Sequence, residues 1–71
     1  MELAEIIGER IKKLRSEKNL SISQLASSTN LSQNSIMNWE NGKRIPKINS
    51  VIILAKFFEV KVNYIVGLSE R

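Results

Sequence analysis

The stretch "LSQNSIMNWENGKRIP", residues 31–46, decides how this chain is read. Ser32 stands where a helix N-cap belongs, Ile36 and Trp39 recur at helical spacing, and Gly42 and Pro46 supply the stop. At about 100° per residue, Ser35, Ile36, Trp39 and Glu40 fall on one side of that helix. Gln33, Asn34, Met37, Asn38 and Asn41 fall on the other. A solvated helix face is usually built from Lys and Glu, whereas this one is built from primary amides. An amide offers a donor beside an acceptor, which matches the adenine edge in a major groove, and it escapes the repulsion a carboxylate meets near phosphate. Met37 suits a thymine methyl, and Lys43, Arg44 and Lys47 follow the helix as cations able to flank a groove and hold phosphate.

Outward from this stretch the absence of acid continues. No Asp or Glu lies between Glu17 and Glu40, and residues 19–38 are mostly Ser, Thr, Asn and Gln. Ile22, Leu25, Ala26, Leu31, Ile36 and Trp39 recur among them at spacings a helix buries, so the segment reads as folded and not as a polar linker. "SISQ" supplies a capping box in which Ser21 and Gln24 satisfy each other's backbone amides, and it opens a second helix that should stop at Asn30. Helix 1 should cover residues 3–18, with an apolar stripe of Leu3, Ile7, Ile11 and Leu14 and Asn19 as a left-handed cap. After Pro46, "INSVIILAKFF" makes helix 4, and "VNYIV" makes a last short turn that Gly67 ends. The expectation is an all-α bundle of five short helices, one domain over residues 1–71, with a helix-turn-helix at about residues 21–41.

Composition agrees with this outline. The chain has 71 residues, of which 42% are apolar, enough for one small core. It has no Cys and no His, so disulfides and the commonest metal ligands and nucleophile-base pairs are missing. An enzyme is not expected, nor a cofactor or a metal; Glu40 alone lacks a second titrating partner for acid-base chemistry. No apolar run reaches membrane-spanning length, and a cytoplasmic location is expected. The net charge of +4 and pI near 9.8 favour an anionic partner. Lys12, Lys13 and Lys18 read as a solvated face of helix 1, with Glu9 four residues before Lys13.

The run from "LSISQLA" through "WENGKRIP" to "LAKFFEV" and "YIVG" resembles the phage repressor and Cro family of helix-turn-helix regulators, also called the XRE family. The resemblance spans nearly the whole chain, from "IKKLR" onward. It implies the compact lambda-repressor-like five-helix fold, with helix 3 in the major groove of double-stranded operator DNA and helix 2 across the backbone. By position, Gln33, Asn34 and Asn38 then read bases with Met37 beside them, while Asn41, Lys43 and Arg44 hold the backbone, together with Ser32, Ser35 and Lys47. "LR" and "WENG" match positions paired in the family, so Arg15 and Glu40 are expected to form a structural ion pair. The resemblance also implies a homodimer, at least on a palindromic operator, and a transcriptional regulator, most simply a repressor.

Two departures stand out. Ile22 occupies a position where the family often has a phosphate-binding Gln, and Lys47 and Lys61 replace the Ser that often caps helices 4 and 5. The helical wheel sets Ile48, Val51, Leu54, Ala55 and Phe58 on the core side of helix 4 and leaves Ile53 and Phe57 outside, where nearby Tyr64 would extend an apolar dimer interface. A different class of function fits the same chain: an antitoxin-type module that neutralises a partner protein and also binds DNA.

Overall fold

The computed structural model describes residues 2–70. Its elements are α1 (Leu3–Glu17), α2 (Ile22–Thr29), α3 (Gln33–Glu40), α4 (Ile48–Phe58) and α5 (Val62–Ile65), with no strand among the described residues. Local chemistry accounts for most boundaries. Ser21 Oγ accepts from the Gln24 amide at 3.0 Å, and Gln24 Oε1 accepts from the Ser21 amide at 2.8 Å, so two otherwise orphaned donors are satisfied at the head of α2. Ser32 Oγ accepts from the Ser35 amide at 3.2 Å and opens α3 in the same way. Asn19 and Asn30 take left-handed conformations, with φ of 56° and 59°, and turn the chain after α1 and α2.

α1 ends one residue earlier than expected, at Glu17, with Lys18 as its cap. α4 ends on Glu59, which adopts φ of 57° with a side chain that gains nothing from the left-handed region; the Val60 amide still closes the end by donating to the Ala55 carbonyl at 3.0 Å. Neither Lys47 nor Lys61 caps its helix through its side chain. At α4 the Oδ1 of Asn49 accepts from the Ser50 amide at 3.0 Å and covers part of that loss.

All five helices contribute to one core, in which Ile7, Ile11, Leu25, Ile36, Leu54 and Ile65 are fully enclosed. Trp39 is buried with Ile36, on the side of α3 turned to α1 and α2. Ile48 departs from expectation: it is 67% exposed, because the first turn of α4 projects past the edge of the core that Val51, Leu54, Ala55 and Phe58 fill. No helix among the described residues is long and apolar enough to cross a membrane.

Candidate nucleic-acid interface

α2 and α3 are separated only by Asn30, Leu31 and Ser32. Leu31 packs against the core and its amide donates to the Ala26 carbonyl at 3.2 Å, so the turn is tied at both its apolar and polar ends. This leaves one long side of α3 open. Gln33, Asn34 and Met37 are exposed on it, and Asn38 is half-buried at its edge. Ser32 is exposed as the cap, and Ser35 is half-buried toward the core. No acidic residue lies on that side.

The turn after α3 is built closely. The Gly42 amide donates to the Trp39 carbonyl at 3.1 Å, the Lys43 amide to the Asn38 carbonyl at 2.9 Å, and Gly42 takes φ of 73°, where a side chain would be strained. Asn41, Lys43, Arg44 and Lys47 emerge exposed from this turn, next to the open side of α3.

α1 holds the far end of α3 in place. Arg15 donates through Nε to Glu40 Oε2 at 2.7 Å and through Nη2 to Oε1 at 2.9 Å, a two-bond fork on one carboxylate. Its remaining nitrogen donates to the Leu20 carbonyl at 2.8 Å, so one side chain ties α1, the α1–α2 turn and α3 together. The two side chains are 15% and 4% exposed. The hydrogen bonds Arg15 donates to the Glu40 carboxylate raise the Arg15 pKa above its ordinary value, against the opposing effect of burial.

Gly8 makes the second contact. A Cβ there would overlap the Trp39 carbonyl oxygen and stand 3.0 Å from that of Glu40, so α1 lies with bare backbone on the carboxyl end of α3. The one sign of this in the sequence is a glycine inside a helical pattern, a position where Ala is preferred unless backbones meet. Arg10 is a further residue the sequence did not single out. It donates to the carbonyls of Tyr64 at 2.7 Å and Ser69 at 2.8 Å, and its guanidinium sits 4.4 Å from the centre of the Tyr64 ring.

That clamp corrects the expected apolar interface. Tyr64 is 2% exposed beneath Arg10, so it cannot extend a surface patch. Phe57 is half-buried, edge-on to Phe58 at 5.1 Å, with the Lys18 ammonium 5.9 Å from its ring. Ile53 is 37% exposed, and Ile45, Ile48 and Ile52 are exposed as well. On the α4 wheel, Asn49 and Lys56 form the crest between two apolar flanks, Ile48 with Ile52 on one side and Ile53 with Phe57 on the other. Ile22 turns partly into the core, so an apolar group takes the place of an expected phosphate ligand at the head of α2.

A short α2, a tight turn and an α3 with one open polar side, all braced by α1, define a helix-turn-helix domain. The chain matches the sequence model of the helix-turn-helix domain family over residues 8–68, and it belongs to that family, in its phage repressor and Cro (XRE) branch. It is 36% identical over 63 residues to the HTH-type transcriptional activator BcrR of Enterococcus faecalis, covering 89% of this chain and 31% of that one. It is 31% identical over 62 residues to the uncharacterized HTH-type transcriptional regulator YobD of Bacillus subtilis (strain 168), covering 87% of this chain and 55% of that one. The chain thus spans about a third and just over half of the lengths of these two relatives. The crystal structure of the restriction-modification controller protein C.AhdI from Aeromonas hydrophila has the same fold, with a TM-score of 0.80 at 24% identity, covering 87% of this chain and 94% of that one.

Proposed function

We propose that this chain is a sequence-specific DNA-binding domain of a transcriptional regulator, with α3 in the major groove of a palindromic operator. The observation that carries the reading is the open side of α3: Gln33, Asn34 and Met37 stand exposed with Asn38 at their edge and no acid among them, and four polar or cationic residues follow at once. Gln33, Asn34 and Asn38 read base edges, Met37 meets a methyl, and Asn41, Lys43, Arg44 and Lys47, with the Ser32 and Ser35 hydroxyls, hold phosphates on either side. Both relatives are named as transcriptional regulators, which supports the same role here.

Two copies related by a two-fold axis set their α3 helices about 34 Å apart, one turn of duplex. The exposed isoleucines along α4, with Ile53 among them, are the surface proposed for that contact. Repression follows most simply, since a bound dimer occludes a promoter. In a purified transcription assay on a template carrying the selected site, repression lowers transcript and activation, the role in BcrR's name, raises it. Failure to enrich any duplex from a random pool would contradict DNA reading and turn attention to the partner-neutralising class.

A further inference from the structure

Lys12 and Lys13 are neighbours in sequence, but the fold gives them different surroundings. Three residues of α1 meet the carboxyl end of α3 and its turn. Gly8 lies against the Trp39 and Glu40 carbonyls, Arg15 holds the Glu40 carboxylate, and a Cβ on Gly42 would stand 3.5 Å from Glu5 Cγ. With 3.6 residues per turn, Lys12 stands about 40° around α1 from Gly8 and about 60° from Arg15, whereas Lys13 stands about 140° from Gly8. Lys12 is exposed and by this geometry borders the α1–α3 seam one turn beyond Gly8, while Glu5, about two turns earlier, is the α1 residue that lies against Gly42. Lys13 is turned toward the flank where Arg10 holds Tyr64.

Their charge environments differ too. Lys13 has Glu9 four residues before it and Glu17 four residues after, the spacing at which helical side chains meet. Lys12 has Gly8 and Ser16 at those positions, and Glu9, three residues before it, is shared with Lys13. Lys12 therefore presents a cation with no acid four residues to either side, on the flank of α1 that borders α3, where Glu5 two turns earlier is the acid that meets the Gly42 turn.

We propose that Lys12 binds the DNA backbone together with Lys43, so that α1 contributes a phosphate contact that the helix-turn-helix itself does not hold. This rests on the reading of α3 as the DNA-contacting helix. Lys12→Gln, Lys13→Gln and Lys43→Gln are compared with the wild type for binding to a labelled mixed-sequence duplex, by fluorescence anisotropy over a series of salt concentrations. The slope of log affinity against log salt should fall by about one unit for Lys12→Gln and for Lys43→Gln and stay unchanged for Lys13→Gln. The slope does not depend on the active fraction, so partial misfolding does not imitate the result. If Lys43→Gln lowers the slope and Lys12→Gln does not, the Lys12 proposal alone is overturned. Equal falls for Lys12→Gln and Lys13→Gln reduce the effect to net charge and overturn it as well. A wild type without salt-dependent binding overturns this proposal and the DNA reading together.

Discussion

Gln33, Asn34 and Asn38 show how far one side chain's chemistry can be followed. Each carries a donor and an acceptor on one amide, and a bidentate match to adenine discriminates by about 1–3 kcal/mol. Replacing each with Ala should therefore cost about that much binding and relax preference at one operator position, read by competition between single-base operator variants. Arg44→Gln should instead weaken all sequences alike and lower the salt slope by about one unit, because a guanidinium on phosphate carries no sequence information. The Arg15–Glu40 fork is held away from water, and removing one partner strands the other. Glu40→Gln should destabilise by about 3 kcal/mol in denaturant titration, and a double-mutant cycle with Arg15→Met should recover most of it. Since Glu40 raises the Arg15 pKa, the arginine's share of this stability is complete below its unfolded-state pKa and is lost only as pH rises into strong alkali. The open amide side of α3 and the Arg15–Glu40 pair were legible because their residue types are unusual for their places: amides on a surface, and an acid on the edge of an apolar face. Arg10 was not, because nothing local says that a helical arginine finds two carbonyls more than fifty residues away.

At the scale of elements, the helix starts were legible wherever a side chain closes the backbone. The Ser21–Gln24 box, the Ser32 cap and the two left-handed asparagines lie where short-range hydrogen bonding puts them. Ser32→Ala should lower stability by about 1 kcal/mol and shift the start of α3, measured by thermal melts and amide exchange at Ser35. What α1 does to α3 was hidden, since a crossing of two backbones leaves only a glycine as its mark. Gly8→Ala should destabilise by about 1–3 kcal/mol, although alanine favours helices, because the methyl group meets carbonyl oxygens that cannot turn aside. A gain in stability on that substitution would mean that the two helices part easily. The faces of α4 were only half legible. Periodicity found Val51, Leu54, Ala55 and Phe58, but a wheel has no ends, and it placed the projecting Ile48 inside with them.

For the whole molecule, the polar side of α3 and the exposed isoleucines of α4 are set by the same small core, so the proposed reading surface and the proposed dimer surface share one support. Ile48→Lys with Ile53→Lys should leave the helical spectrum intact, since both residues are exposed, yet abolish cooperative binding to a two-fold site. Sedimentation on DNA would show one copy per half-site binding independently; unchanged cooperativity would move the interface elsewhere. Tertiary context, which no periodicity contains, decided that Tyr64 belongs to the core. The most direct test of the central claim is selection of bound duplexes from a random pool by the wild type and by the triple variant Gln33→Ala, Asn34→Ala, Asn38→Ala. The wild type should enrich a two-fold symmetric consensus, and the variant should bind DNA weakly with that consensus lost. The same consensus from both proteins, or none from the wild type, would contradict α3 as the helix that reads DNA.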